Sequence, residues 1–317
     1  MLFYTVVHPM SFHHIPVLLE ETIATLNPQA SGLYLDCTLG GGGHSEAILN
    51  ADSKCRLIGL DRDPDAIKAA TKRLKPYKER VQLVHTTYAH YLSETDTTFN
   101  GILLDVGVSS HQLDTPQRGF SFQHDGPLDM RMNPENGLSA SEWIDRIELK
   151  KLTEILFKFG EEPRARQIAR AIIEGRPWQT TKALADCVAR ASGYKNSKTH
   201  PATRTFQAIR IAINNELDEL LSGLTDALKR LAPNGILAVI SFHSLEDRIV
   251  KRMLRSAAGY NAPKDIYGHP VNPPYGTLIH RKGLDGARYD SHNPRARSAR
   301  LRAFQRSPLS SPIHLGV

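Results

Sequence analysis

The string Asp36-Cys-Thr-Leu-Gly-Gly-Gly-Gly-His44 constrains this chain more than any other. It follows a short apolar run, Gly32-Leu-Tyr-Leu-Asp36, and precedes a segment with helical spacing over 45–50. Glycines there let the backbone adopt positive φ and approach a ligand closely. The helix start behind them offers free N–H groups. A second apolar run, Arg56-Leu-Ile-Gly-Leu-Asp61, also ends in an acid, and Pro64 suits the first turn of a helix reaching about residue 74. Val81-Gln-Leu-Val-His85 and Gly101-Ile-Leu-Leu-Asp105 repeat the strand pattern. Strands alternating with helices predict an α/β fold, with a parallel sheet covered on both faces.

The pattern then changes. From about 139 to 231 nearly everything reads helical. Ser139 and Glu142 have capping-box spacing just before Trp143. Ile144, Ile147, Leu152, Ile155, Leu156 and Phe159 make an apolar stripe. Segments 164–174, 181–191 and 203–231 supply more helix. Pro233-Asn-Gly235 reads as a turn, and Ile236-Leu-Ala-Val-Ile-Ser-Phe242 as a returning strand. In the basic tail, Thr277-Leu-Ile-His280 and Leu301-Arg-Ala-Phe-Gln305 read as edge strands. The expected organisation is a discontinuous α/β domain, 1–112 and 216–317, interrupted by an all-helical insertion at 113–215.

Charge and cysteine usage narrow the class. Lys+Arg 40 against Asp+Glu 33 gives +7, which mildly suggests a polyanionic partner. Cys37, Cys55 and Cys187 are odd in number, far apart and without a C-x-x-C pair, so no disulfide framework or zinc knuckle is supported. No apolar run approaches the roughly 20 residues that span a bilayer. The first ten residues lack a basic segment and a long apolar stretch, so they do not read as a signal peptide. Met10 is a candidate start. A cytoplasmic protein with no membrane contact is expected.

The glycine run alone is a weak signal, since a flexible turn would also use it. Its placement before Asp61 in a βαβ frame strengthens it. Asp61 stands where an acid hydrogen-bonds both hydroxyls of a ribose. A dinucleotide fingerprint needs a third glycine on the helix, which is missing here. That favours a mononucleoside cofactor such as S-adenosylmethionine, which has no pyrophosphate to cradle. Tyr88 follows the third strand, where it would pack on an adenine ring or simply in the core. Asp105 ends the fourth strand, facing the crevice or capping a loop.

Longer strings complete the picture. His14-Ile-Pro-Val-Leu-Leu-Glu20, Gly40-Gly-Gly-Gly-His-Ser45, Asp61-Arg-Asp-Pro64 and Gly101-Ile-Leu-Leu-Asp-Val-Gly-Val-Ser-Ser110 occur in order. Arg118-Gly-Phe-Ser-Phe122, Asp125-Gly-Pro-Leu-Asp-Met-Arg-Met132 and His200-Pro-Ala-Thr-Arg-Thr-Phe-Gln-Ala-Ile-Arg210 follow. Ser241-Phe-His-Ser-Leu-Glu-Asp-Arg-Ile-Val-Lys251 and Asn293-Pro-Arg-Ala-Arg-Ser298 close the series. From 12 to 306 the chain resembles the bacterial ribosomal RNA small subunit methyltransferase H family (RsmH/MraW). The resemblance implies a Rossmann-like S-adenosylmethionine-dependent methyltransferase domain with a helical insertion, which serves as the RNA-recognition subdomain. It implies N4-methylation of a cytidine of 16S rRNA in the decoding region, with S-adenosylhomocysteine as product. It carries the cofactor-binding positions to Gly42, Gly43, His44, Asp61, Tyr88, Asp105 and Gln112. Tyr88 stands where relatives often have Phe, which keeps an aromatic face.

The chemistry asks for an acceptor. A cytosine amine is a poor nucleophile, and a neighbouring group would orient its lone pair and take a proton. Many amino-methyltransferases place Asp/Asn-Pro-Pro-aromatic after the fourth strand for this purpose. Here Asp105-Val-Gly-Val-Ser-Ser110 stands there instead. Asp105 and Ser109 are the candidate catalytic residues, with Ser110 and Asp129 as further possibilities. No metal is required. Arg164, Arg166 and Arg170, and Arg295, Arg297, Arg300 and Arg302, are candidate phosphate contacts. His243 would line the crevice or hold structure. The oligomeric state is left between monomer and homodimer. The rival readings are a nicotinamide oxidoreductase, a non-catalytic RNA-binding or ribosome-assembly protein, and a methyltransferase acting on DNA or protein.

Overall fold

Strands β1 (Leu33–Asp36), β2 (Arg56–Asp61), β3 (Val81–His85), β4 (Phe99–Asp105) and β5 (Leu231–Ser241) run parallel. They are joined by β6 (Gly276–Leu278), β7 (Leu284–Asp285) and β8 (Arg300–Arg306). The sheet order is β3-β2-β1-β4-β5-β8-β6, with β7 also pairing β8. The computed structural model describes residues 16–193, 199–260, 262–263, 265–267, 271 and 273–308. Met10 and His14 lie outside them.

The helices around the sheet are α1 (Leu19–Leu26), α2 (Gly43–Ala51), α3 (Pro64–Arg73), α4 (Tyr88–Glu94) and α5 (Ser110–Asp114). A helical block follows: α6 (Ala140–Arg146), α7 (Leu149–Gly160), α8 (Ala165–Glu174), α9 (Thr181–Ser192) and α10 (Thr203–Asn214). Helices α11 (Glu216–Lys229), α12 (Ser244–Ala257) and α13 (Gly286–Tyr289) complete the chain. Among the described residues no helix is long and apolar enough to cross a membrane.

Period-2 alternation divides the sheet's side chains between two cores. On β4, Ile102 and Leu104 pack with Leu220 and Leu224 of α11 and Val250 and Leu254 of α12. Leu103 points the other way, to Ile48 and Leu49 of α2 and Ala70 of α3. A third core lies entirely in the helical block, where Leu152 and Leu156 of α7 meet Ile168 and Ile172 of α8, Leu184 of α9 and Ile209 of α10.

Four expectations need correction. The continuous helical reading of 203–231 breaks at Asn215, which adopts φ 51 and separates α10 from α11. Helix α10 packs on α7 and α11 on α4, so the break lets one run serve two cores. The stripe from Ile144 to Phe159 is two helices, because Ile147 is extended and caps α6. Finally, β8 is an interior strand, paired to β5 on one side and to β6 and β7 on the other. Its arginines suggested exposure, but Arg302 is 8% exposed and donates to both carboxylate oxygens of Asp247 at 2.7 and 3.0 Å. The turn read at Pro233-Asn-Gly235 lies inside β5, where the register with β4 shifts.

Candidate functional site

The carboxyl ends of the parallel strands open into a cavity of about 580 Å³. This is where open α/β sheets place ligands. Each strand delivers a residue to it. Beyond β1, Gly40, Gly41, Gly43 and His44 line the wall; Asp61 follows from β2, Tyr88 from beyond β3, Asp105 from β4, and Phe242 and Glu246 from beyond β5.

The glycine turn is built for close approach. Gly42 has φ 78 and caps α2, and a Cβ there would touch Ala70 and Leu74 at 3.4 Å, so this glycine faces α3 rather than the cavity. A Cβ on Gly43 would stand 2.4 Å from Cγ of Pro16. Asp36 fixes the turn from beneath, accepting from Ser45 Oγ at 2.6 Å and Thr38 N at 3.2 Å; burial pushes its carboxyl up to about 6.

Asp61 is held by backbone. Its Oδ2 accepts from Gly40 N and its Oδ1 from Asp63 N, both at 2.8 Å. Burial raises it to about 6, so it is mostly ionised at neutral pH. Each oxygen keeps a second lone pair for a ligand hydroxyl. Tyr88 opens α4, and its ring lies against bare Gly223 of α11, where a Cβ would meet Cε2 at 2.4 Å.

Asp105 is the least satisfied group in the cavity. Its Oδ1 is buried with no hydrogen-bond partner among the described residues, and its Oδ2 is 3.7 Å from His44 Nδ1. Burial first, then the charges of Asp36 and Glu246, push its carboxyl well above the ordinary range. His44 is turned by its other nitrogen, 3.2 Å from the Val17 carbonyl. A buried acceptor without a donor is costly. A cationic or N–H-rich ligand removes that cost.

Ser109 and Gln112 are both occupied by local structure. They form the capping box of α5: Gln112 N donates to Ser109 Oγ at 3.2 Å, and Ser109 N donates to Gln112 Oε1 at 3.0 Å. The Gln112 amide also donates to Asp63 Oδ2 at 2.8 Å. Both residues line the cavity, with Gln112 only 5% exposed. Asp129 is paired with Arg131, as the Arg131 Nε and Nη2 each donate to it at 2.8 Å, and it does not line the cavity.

The sequence reading missed the residues that tie the helical block to this wall. Arg62 pairs with Glu219 and donates to the Asn214 carbonyl at 2.9 Å. Asp63 accepts from Arg118, which also donates to the carbonyls of Arg131 and Met132 at 3.0 and 2.9 Å. Asn214 bonds Met130 O and Met132 N, both at 2.8 Å. The signal was visible as the strings around Arg118, Asp125 and Asp61, but nothing in one dimension shows that they meet. Glu219 was also unforeseen; its Oε1 is buried and unpartnered among the described residues, and the residue lines the cavity.

The basic candidates divide. Arg166 and Arg170 are exposed on α8, while Arg164 donates to the Ser192 carbonyl. Arg297 is exposed; Arg295 lines the cavity mouth and pairs with Asp114. Arg300 and Arg302 are engaged by Asp285 and Asp247, and Arg302 is buried besides. His243 caps α12 and sits against Glu246.

The chain is similar to known proteins over nearly its whole length. The MraW methylase family matches residues 11–307. Ribosomal RNA small subunit methyltransferase H of Synechococcus elongatus is 46% identical over 302 residues, spanning 94% of this chain and 96% of that protein. The protein of the same name from Heliobacterium modesticaldum is 46% identical over 314 residues, spanning 94% of this chain and 99% of its own length. That from Zymomonas mobilis is 45% identical over 312 residues, spanning 95% and 93%.

Proposed function

The chain belongs to the MraW methylase family, and from that premise we propose that it methylates the exocyclic N4 amine of a cytidine in 16S rRNA, in the decoding region of the small subunit, within the cytoplasm. The methyl donor is S-adenosylmethionine and the product S-adenosylhomocysteine. The observation that carries this reading is the pair of carboxylates at the strand ends. Asp61 is backbone-held at a strand end where ribose hydroxyls would bind, and Asp105 has a buried oxygen that lacks a donor among the described residues.

The residues fit the donor molecule. Asp61 would take the two ribose hydroxyls, and Tyr88, backed by Gly223, would offer its ring to the adenine. Gly43 and His44 at the start of α2 would stand against the methionine carboxylate, where the positive end of the helix favours an anion. Asp105 Oδ1 would accept from the methionine ammonium, which favours its ionised form. Gly42 sets the turn, and Gln112 holds Asp63, so these two support the site from behind. Bound S-adenosylmethionine supplies a strongly electrophilic methyl group. The protein's part is to align the amine with it and to exclude water.

Ser109 is a cap, and Asp105 is assigned to the donor's ammonium, so neither is taken here as the proton acceptor. The helical block at 113–215 is proposed as the RNA-recognition unit, with Arg166 and Arg170 as phosphate contacts, since both are exposed on one helix. The test is transfer of labelled methyl to small subunits from cells lacking this gene. Label in the rRNA fraction supports the reading. Label in ribosomal protein, or in added DNA but not rRNA, contradicts it.

A further inference from the structure

Helix α12 begins with a capping box in which Glu246 reaches back to the chain end of β5. Its Oε2 accepts from Phe242 N at 2.8 Å and His243 N at 3.2 Å. A capping role does not require burial. Glu142 does the same for α6 from an exposed position. Glu246 is 2% exposed, yet it lines the same cavity as Asp105. Burying a carboxylate is costly unless it is paired and hydrogen-bonded, as Glu246 is.

The environments of these two acids pull them apart. Burial would raise Glu246, but hydrogen bonding and charge from His243 and the Arg210 guanidinium outweigh it and hold the carboxyl below the ordinary range. Asp105 is pushed the other way. A carboxyl held below the ordinary range is ionised at neutral pH and can only accept hydrogen bonds. Glu246 N donates to His243 Nδ1 at 3.4 Å, and His243 Nε2 lies 3.1 Å from Oε1.

Gly107 opens the approach. It has φ 109, and a Cβ there would lie 3.5 Å from Cδ2 of Phe242 and 3.8 Å from Oε1 of Glu246. Gly107, Phe242 and Glu246 all line the cavity, so this part of its wall carries an aromatic ring and a carboxylate oxygen, two residues beyond Asp105. Two of the four acceptor positions on Glu246 are taken by backbone amides on Oε2 and His243 Nε2 stands beside Oε1, which leaves Oε1 one position for a further donor. A flat heterocycle bearing an amine fits those walls.

We propose that Glu246 is a catalytic residue, with Oε1 accepting from the exocyclic amine of the target base while Phe242 flanks the ring. As the amine nitrogen bonds to the methyl carbon, the carbon–sulfur bond breaks with its electron pair going to sulfur. The N–H proton passes to Oε1, and it exchanges with water once product leaves. The assignment rests on the methyltransferase reading above and adds the group that reading leaves unnamed.

The experiment compares wild type and Glu246→Gln in single-turnover methyl transfer to unmethylated small subunits, with S-adenosylhomocysteine affinity measured alongside. Glu246→Gln should slow transfer by about 10²–10⁴-fold, the usual worth of a general base, with affinity changed less than about threefold. A rate within about threefold of wild type overturns the assignment. Inactive wild type would instead overturn the functional reading itself. If Glu246→Gln fails to bind S-adenosylhomocysteine, a structure of wild type with S-adenosylhomocysteine and an RNA containing N4-methylcytidine decides the matter. The methylated nitrogen should lie about 2.6–3.2 Å from Oε1. Its lying against Asp105, or elsewhere in the cavity, overturns the proposal.

Discussion

Arg118 donates from Nη1 to Oδ2 of Asp63 at 2.7 Å, and this bond joins the helical block to the loop that carries Asp61. The other end of the same guanidinium holds the carbonyls of Arg131 and Met132. Asp63 also caps α3 by accepting from Asp65 N. The segment after Asp61, the start of α3 and the helical block therefore share one buried ion pair. Removing one partner of such a pair strands the other, at a cost of about 3–5 kcal/mol. Arg118→Ala should lower the melting temperature by roughly 10 °C, and Arg118→Lys by less, since an ammonium lacks the fork that spans three acceptors. Thermal unfolding followed by circular dichroism checks both; a loss below about 1 kcal/mol for the alanine variant would mean the pair holds little.

Asp105 supports a prediction of opposite sign. Its folded pKa lies well above its unfolded value near 3.8. Below that value both states are protonated, and nothing is gained or lost. As the pH rises, the unfolded chain releases this proton and the folded one retains it, so folding weakens until the folded pKa is passed. Asp105→Asn breaks no hydrogen bond to Oδ1, which has none among the described residues. It should raise the melting temperature of the ligand-free protein by a few degrees at pH 7.5, about 1 kcal/mol, with the gain vanishing near pH 4. The same change should weaken S-adenosylmethionine binding by roughly tenfold or more, the loss of one charged hydrogen bond. Melting curves at the two pH values and calorimetric titration test the two halves.

Asp61 makes ligand affinity pH-dependent. Its carboxyl sits at about 6 in the ligand-free protein. Protonation turns one acceptor into a donor, so affinity for S-adenosylhomocysteine should fall as the pH drops through about 6, by up to tenfold per unit for each proton taken up. At pH 7.5, Asp61→Asn should bind about 10–100-fold more weakly. Titrations from pH 5 to 8 read the profile, and a flat wild-type curve would contradict the role given to Asp61.

Gly223→Ala probes the wall proposed for the adenine without touching it. Alanine is worth about 1 kcal/mol over glycine inside a helix, but the new Cβ would fall 2.4 Å from Cε2 of Tyr88. The ring must move, and the cavity lies on its other side. S-adenosylhomocysteine affinity should drop about tenfold or more while stability changes by less than about 2 kcal/mol. Unchanged affinity would show that Tyr88 is core packing alone, the other reading its position allows.

The strand-end acids were legible in the sequence because apolar runs ending in Asp are local, periodic signals. Asp36, Asp61 and Asp105 all fall at the ends of the strands expected. Gln112 and Asp63 were harder, because their bond joins residues 49 apart in the chain. The break after Asn214 was invisible for the same reason. That side chain is committed to Met130 and Met132, more than 80 residues away. Arg302 read as a phosphate contact because its partner Asp247 is 55 residues earlier. Glu246 escaped notice because its cap is a histidine, whereas Ser and Thr are the residues that announce a capping box.

The most direct test of the central claim is the identity of the methylated nucleoside. Small subunits from a strain lacking this gene should be incubated with the protein and labelled S-adenosylmethionine, and the rRNA then digested to nucleosides and separated. The account predicts label in N4-methylcytidine alone. Label in a ring-carbon or ribose-methylated nucleoside would contradict it, as would none on subunits or naked 16S rRNA by a protein shown to bind S-adenosylmethionine.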